Sequence, residues 1–233
     1  MGISTKCPET FAAALALAWD GESMSTLPWY RRILVDDYCT LCAAFEPYPV
    51  CRCCWQRFSK IAAREPLAVD PFAYDAPLDG LIAAWKYRAD VTALPILRLA
   101  MQDIVEQVTE DVTAICPVPL HPLKRYQRGF NQSQFLARFA QQVRSVPVRC
   151  AWLRKVRRTR PQVGLVESQR QSNQRGAFDA QRAVRGERIL LIDDVMTTGA
   201  TLRSARAALH AAGAHEVLCV ALSATRASDP SRS

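Results

Sequence analysis

Apolar residues recur at helical spacing over residues 78–87, 94–108 and 131–143, and each stretch is predicted to form an amphipathic helix. A short buried run at 113–116 separates the second from the third. The clearest strand lies at 188–192 and leads into a polar turn through Thr198 and Gly199. An Ala-rich helix then spans 200–212, with Gly213 as its stop, and 216–222 reads as another strand. A strand, helix and strand in this order form the βαβ unit of a parallel sheet, whose ligands collect at the carboxyl ends of the strands. The predicted fold class is therefore α/β, a parallel sheet flanked by helices.

Upstream the pattern changes. Residues 39–58 are dense in cysteine and aromatic side chains, and 65–77 contain three prolines, which puts a boundary near residues 60–70. A chain of 233 residues accommodates one main domain with a small appendage. The expected organisation is an extension at 1–32 with little order, a cysteine-rich module at 33–65, the main domain at 66–226 and a frayed polar tail at 227–233. The apolar run at 11–19 is too short to span a bilayer, and Met24 is a second candidate initiator.

Charge narrows the partners. Lys and Arg total 30 against 22 Asp and Glu, a formal net charge of +8. Residues 144–188 hold twelve basic and three acidic side chains, so that one segment carries the excess and faces anions. Within it, Arg157, Arg158, Arg160, Gln162, Gln169 and Arg170 have few apolar anchors, the pattern of a mobile cationic flap. Such a flap serves a diphosphate or a nucleic-acid backbone equally well. Nine cysteines, five of them between 39 and 54, fit reduced thiols in a cytoplasmic protein better than a disulfide framework.

The strand at 188–192 is followed by Asp193 and Asp194, adjacent carboxylates that are costly to bury unpaired. A sugar diol and a cation-bearing diphosphate would satisfy them, since carboxylates accept hydrogen bonds from hydroxyls and favour nearby magnesium. Thr197, Thr198, Gly199 and Thr201 then lead into a helix, where hydroxyls and backbone N–H groups surround a phosphate at the positive helix end. Gly199 permits the tight turn. Diol and phosphate positions thus stand one ribose apart.

Cys39, Cys42, Cys51 and Cys54 form two C-x-x-C pairs separated by eight residues, a spacing that lets two knuckles converge on one zinc ion. Four sulfur ligands close such a site to substrate, so its role is structural. Cys53 is a surplus thiol that could replace a neighbour. Residues 115–120 read as a strand entering a loop, which continues with Lys124, Arg125 and Arg128 before Gly129 and the next helix. Those cations suit a diphosphate, with Arg available for bidentate contacts; as a solvated basic loop they would be unremarkable. Lys86, among apolar and aromatic neighbours on a helix, reads as a snorkelling lysine.

The string from Ile189 to Thr201 resembles the phosphoribosyl-pyrophosphate (PRPP) motif of type I phosphoribosyltransferases almost position for position. That resemblance implies that Asp193 and Asp194 hold the ribose hydroxyls while Met196, Thr197, Thr198, Gly199, Ala200 and Thr201 wrap the 5′-phosphate. The paired C-x-x-C, the Leu81, Ile82, Lys86, Tyr87 helix, Pro117-Val118-Pro119, the Arg128-Gly129-Phe130-Asn131-Gln132 stretch, Arg160-Pro161-Gln162 and Asn173 with Gly176-Ala177-Phe178 occur in an order that resembles the ComF family. The resemblance covers about residues 33–226. It implies a type I phosphoribosyltransferase-like domain behind a zinc-ribbon-like segment, magnesium with PRPP, and a link to competence and DNA uptake. Enzyme status stays open, because a fold that binds PRPP need not catalyse transfer. Three readings follow: a magnesium-dependent phosphoribosyltransferase, a non-enzymatic uptake factor that binds single-stranded DNA, and a regulator that senses PRPP or a nucleotide. Glu167, the one carboxylate between residues 150 and 178, is the candidate base for an acceptor.

Overall fold

The computed structural model describes residues 38–44, 49–156 and 176–226, without the side chains of Gln127 and Arg128. Strands β1 (Phe72–Ala73), β2 (Ala114–Pro117), β5 (Arg188–Met196) and β6 (Glu216–Ala224) form one parallel sheet in the order β1-β6-β5-β2. Strands β3 (Leu153–Lys155) and β4 (Phe178–Ala180) pair antiparallel as a separate short ribbon. The segment at 157–175, read as a flap, lies outside the described residues, as does Glu167.

Side chains alternate across β5, and both faces are buried, as a parallel sheet covered by helices requires. Leu190 and Ile192 pack with Ile82 and Trp85 of helix α2 (Leu78–Arg88), Leu97 and Met101 of α3 (Leu94–Val105) and Leu136 of α5 (Gln132–Arg144). Ile189 and Leu191 face the other way, onto Leu202, Ala205 and Leu209 of α6 (Ala200–Ala211). Each of the four strand residues is fully buried. At about 25 cal/mol per Å² of apolar area, burying one such aliphatic side chain contributes roughly 2 kcal/mol.

Two expectations are corrected. Strand β5 continues four residues beyond Ile192, because β6 keeps pairing with it: Asp193 stands opposite Ala221 and Val195 opposite Ser223. Asp193 and Asp194 therefore lie within a hydrogen-bonded strand rather than just after it. The stretch with Lys124, Arg125 and Arg128, expected as a loop, is a short helix, α4 (Pro122–Arg128). His121 Nδ1 accepts the Leu123 N–H, Pro122 opens the first turn, and Gly129 closes the last at φ 79°.

The cysteine-rich segment shares the main core. Helix α1 (Arg52–Trp55) carries Trp55, whose ring lies 5.3 Å from that of Phe58 and 5.7 Å from that of Phe72. Phe72 belongs to β1, so this aromatic group joins the thiols to the sheet edge.

Candidate active site

The carboxyl end of β5 is where hydrophobic packing gives way to polar groups. Asp193 Oδ1 accepts from Ser133 Oγ at 3.1 Å and from the Asp194 N–H at 2.9 Å. Asp194 Oδ2 forms an ion pair with Lys86 Nζ at 2.8 Å, and its Oδ1 accepts the Val195 N–H at 2.6 Å. Lys86 does not simply snorkel: its apolar neighbours on α2 fix the stem, and the ammonium reaches the strand end. Burial and then the Asp194 charge push the Asp193 carboxyl up to about 7, against the Asp194 N–H, Lys86 and Ser133, which lower it.

Beyond Met196 the chain turns sharply into α6. Gly199 adopts φ 75°, and a Cβ there would stand 2.7 Å from Pro66 Cδ and 2.8 Å from Arg203 Nη1, so glycine is required by conformation and by space. Thr198 Oγ1 accepts the Ala200 N–H at 3.4 Å. Residues 196–202, with Asp193 and Val195, enclose a small hollow at the N-terminal end of α6, the positive end of its dipole.

A larger cleft of about 370 Å³ opens beside this hollow, lined by Asp193, Asp194, Thr197 and Thr201 together with Lys86, Lys124 and Lys155. Lys124, one of the cations read as suiting a diphosphate, lines this cleft. Arg125, its neighbour on α4, is exposed and does not line the cleft. Lys155, at the end of β3, was not singled out in the sequence, and nothing in its local pattern distinguishes it from the other cations nearby. Its ammonium stands 5.2 Å from the Phe178 ring centroid. Burial, and to a lesser degree the Lys124 charge, lower its pKa, while Asp193 acts in the opposite direction. The cleft therefore brings two carboxylates together with the ammonium groups of Lys86, Lys124 and Lys155.

Cys39, Cys42, Cys51 and Cys54 come together, with all four sulfur atoms within 4.8 Å of one another and Cys42 Sγ 3.6 Å from Cys51 Sγ. A tetrahedral tetrathiolate with zinc–sulfur bonds near 2.3 Å has sulfurs about 3.8 Å apart, so the arrangement fits zinc. The Cys54 N–H donates to Cys51 Sγ at 3.4 Å, which orients that sulfur, and the Cys39 N–H donates to the Ala44 carbonyl at 2.8 Å, which closes the first turn. Burial raises the Cys51 thiol to about 11 and Cys54 further, with adjacent sulfurs adding to Cys54, so thiolates there need a counter-charge that a dication supplies. Cys53 is exposed and stands outside the four.

Residues 133–232 match the phosphoribosyl transferase domain family. The chain is 30% identical over 152 residues to competence protein F of Haemophilus influenzae, an alignment covering 62% of this chain and 66% of that protein, just under two thirds of its length. It is 29% identical over 186 residues to DNA utilization protein YhgH of Salmonella typhimurium, covering 74% and 76% respectively. These matches support a ComF-family, phosphoribosyltransferase-like protein. Its phosphoribosyltransferase-like domain also superimposes loosely on glutamine phosphoribosylpyrophosphate amidotransferase from B. subtilis, with a TM-score of 0.42 and 18% identity over 60% of this chain and 30% of that one. That likeness is too distant to add to the ComF assignment. Among the described residues of this ComF-family chain, no helix is long and apolar enough to cross a membrane.

Proposed function

We propose that the cleft at the end of β5 binds PRPP with magnesium, and that the chain is a phosphoribosyltransferase or a derivative of one, linked to DNA uptake. One observation carries this reading: an acidic pair and a hydroxyl-rich helix N-terminus line the same cleft, Asp193 and Asp194 beside Thr197 and Thr201. Carboxylates accept hydrogen bonds from ribose hydroxyls, and the N–H groups and hydroxyls of residues 197–201 suit the 5′-phosphate. Lys124 and Lys155 line the same cleft, and their charge suits a diphosphate. Magnesium, when bound, neutralises diphosphate charge. Asp193 and Asp194 are the groups placed to hold it near the ribose, and they fit its preference for oxygen ligands.

If transfer takes place, the acidic pair stabilises positive charge developing on the ribose ring, and the two lysines stabilise the departing diphosphate. Glu167 is the base proposed for the acceptor. The four cysteines are proposed to hold one structural zinc. The link to DNA uptake rests on the names of the two relatives and on the excess charge of residues 144–188, which single-stranded DNA would also recognise. Reduced thiols together with this chemistry fit a cytoplasmic protein. The test of enzyme status is release of pyrophosphate from PRPP and magnesium across a panel of nucleobases and amines. Acceptor-dependent release supports a transferase. PRPP binding without release under any acceptor supports the sensing reading instead.

A further inference from the structure

The segment at 59–68, which follows the last of the four cysteines, crosses the outside of the 197–201 turn, and it makes polar contacts there that the functional reading does not use. Arg64 Nη2 donates to the Thr197 carbonyl and stands 3.4 Å from Thr225 Oγ1, which is itself 3.4 Å from the same carbonyl. Arg203 Nη2 donates to the Thr198 carbonyl at 2.7 Å, and its Nη1 reaches the Glu65 carbonyl at 3.4 Å. The Glu65 carboxylate pairs with Arg206. Pro66 packs directly on Gly199. Arg64, Glu65, Pro66 and Arg203 line neither the cleft nor the small hollow.

A trans peptide is planar, with its C=O and N–H pointing in opposite directions. Fixing the Thr197 carbonyl on the outside therefore turns the Thr198 N–H away from Arg64, towards the hollow. Fixing the Thr198 carbonyl through Arg203 does the same for the Gly199 N–H. Glycine at 199 has a soft backbone, so without these contacts the peptides at 197–198 and 198–199 lose side-chain anchors, whereas the 199–200 peptide keeps the Arg203 N–H on the Gly199 carbonyl at 2.9 Å and the Ala200 N–H on Thr198 Oγ1.

The tip at residues 64–67 is itself held on both sides. Ile61 N–H donates to the Pro71 carbonyl at 3.0 Å, Ala63 N–H to Asp70 Oδ1 at 2.7 Å, and Ala68 N–H to the Cys219 carbonyl of β6 at 2.9 Å. Leu67 is buried in the core beneath α6.

We infer that Arg64 is a positioning residue for the phosphate-facing turn: from outside the cleft it sets the direction of the Thr198 N–H, and the segment at 59–68 is a brace that keeps it there. This rests on the reading that residues 197–201 receive the 5′-phosphate of PRPP. The effect is specific to one end of the ligand. Ribose 5-phosphate uses the turn, whereas magnesium pyrophosphate meets Lys124 and Lys155.

The experiment compares wild type, Arg64→Ala and Arg64→Lys by calorimetric titration with ribose 5-phosphate and with magnesium pyrophosphate, alongside hydrogen exchange of the ligand-free proteins. Arg64→Ala should weaken ribose 5-phosphate roughly tenfold, as expected for losing a charge-assisted hydrogen bond at a half-exposed site, and leave pyrophosphate unchanged. Arg64→Lys, which keeps one donor, should fall between. Exchange at residues 198–200 should quicken in Arg64→Ala with the rest of the sheet unaffected. Equal loss for both ligands would reduce Arg64 to general stability and overturn the inference, as would exchange at 198–200 that matches wild type. If wild type binds neither ligand yet exchange quickens locally, the brace stands and the PRPP reading falls.

Discussion

Lys86 Nζ lies 2.8 Å from Asp194 Oδ2, with the two side chains only 13% and 16% exposed, so the cation balances an acidic pair at the strand end. Because α2 ends at Arg88 and β5 begins only at Arg188, the pair ties the helix layer to the site. Replacing Lys86 by Met leaves two adjacent carboxylates without that balance. The variant should lose about 3 kcal/mol of stability, the order expected on breaking a mostly buried pair. The loss should be larger at pH 8 than at pH 5, because the Asp193 carboxyl, pushed up to about 7, gives up its proton between the two. Urea unfolding at the two pH values checks both size and direction.

The raised Asp193 pKa gives the wild type its own pH dependence. A carboxyl with an ordinary pKa near 3.8 in the unfolded chain and about 7 in the folded one binds its proton more tightly when folded. Its contribution is most favourable below pH 4 and is lost as pH rises to about 7, on the order of a few kcal/mol. Asp193→Asn should remove this decline. Unfolding free energies of wild type and variant between pH 4 and 8 should therefore converge at the acid end and separate at the neutral end, with the variant the more stable at pH 8.

Gly199→Ala should fold less stably by about 1–3 kcal/mol, since φ 75° disfavours any Cβ and this one would strike Pro66. Gly80, on α2, is the control: a Cβ there meets nothing within 4 Å, and Gly80→Ala should be neutral or stabilising. Chemical denaturation of the two variants separates the positional effect from the residue type.

Chelating the metal should destabilise the protein beyond the cysteine segment. Trp55, Phe58 and Phe72 form one aromatic group against β1, so loss of the knuckle loosens the sheet edge as well. We expect one zinc per chain by elemental analysis, and a thermal midpoint lowered by several degrees after chelation, with tryptophan fluorescence reporting the change. A metal-free protein with the same midpoint would contradict a structural zinc.

Much of this was legible in the sequence because it was local. The β5, α6, β6 unit and the four-cysteine spacing are written in contiguous residues, and the structure places each in one element or one cluster. Helix α4 was missed although its signals were present: a capping His121, Pro122 in the first turn and Gly129 after the last. The cations drew the reading towards a loop, and those caps outweigh them. Lys86, Ser133, Lys155 and Arg64 could not be assigned roles from pattern, since each acts on β5 or its turn from a distant part of the chain. Strand β5 was read too short because Asp193 and Asp194 look like a polar end, whereas pairing with β6 carries the strand through them.

The most direct test of the central claim is calorimetric titration of PRPP with magnesium into zinc-loaded protein, run beside the double variant Asp193→Asn, Asp194→Asn. The account predicts saturable binding to wild type and none to the double variant, which should remain folded by circular dichroism. Absence of binding to folded wild type, or undiminished binding to the double variant, would contradict it.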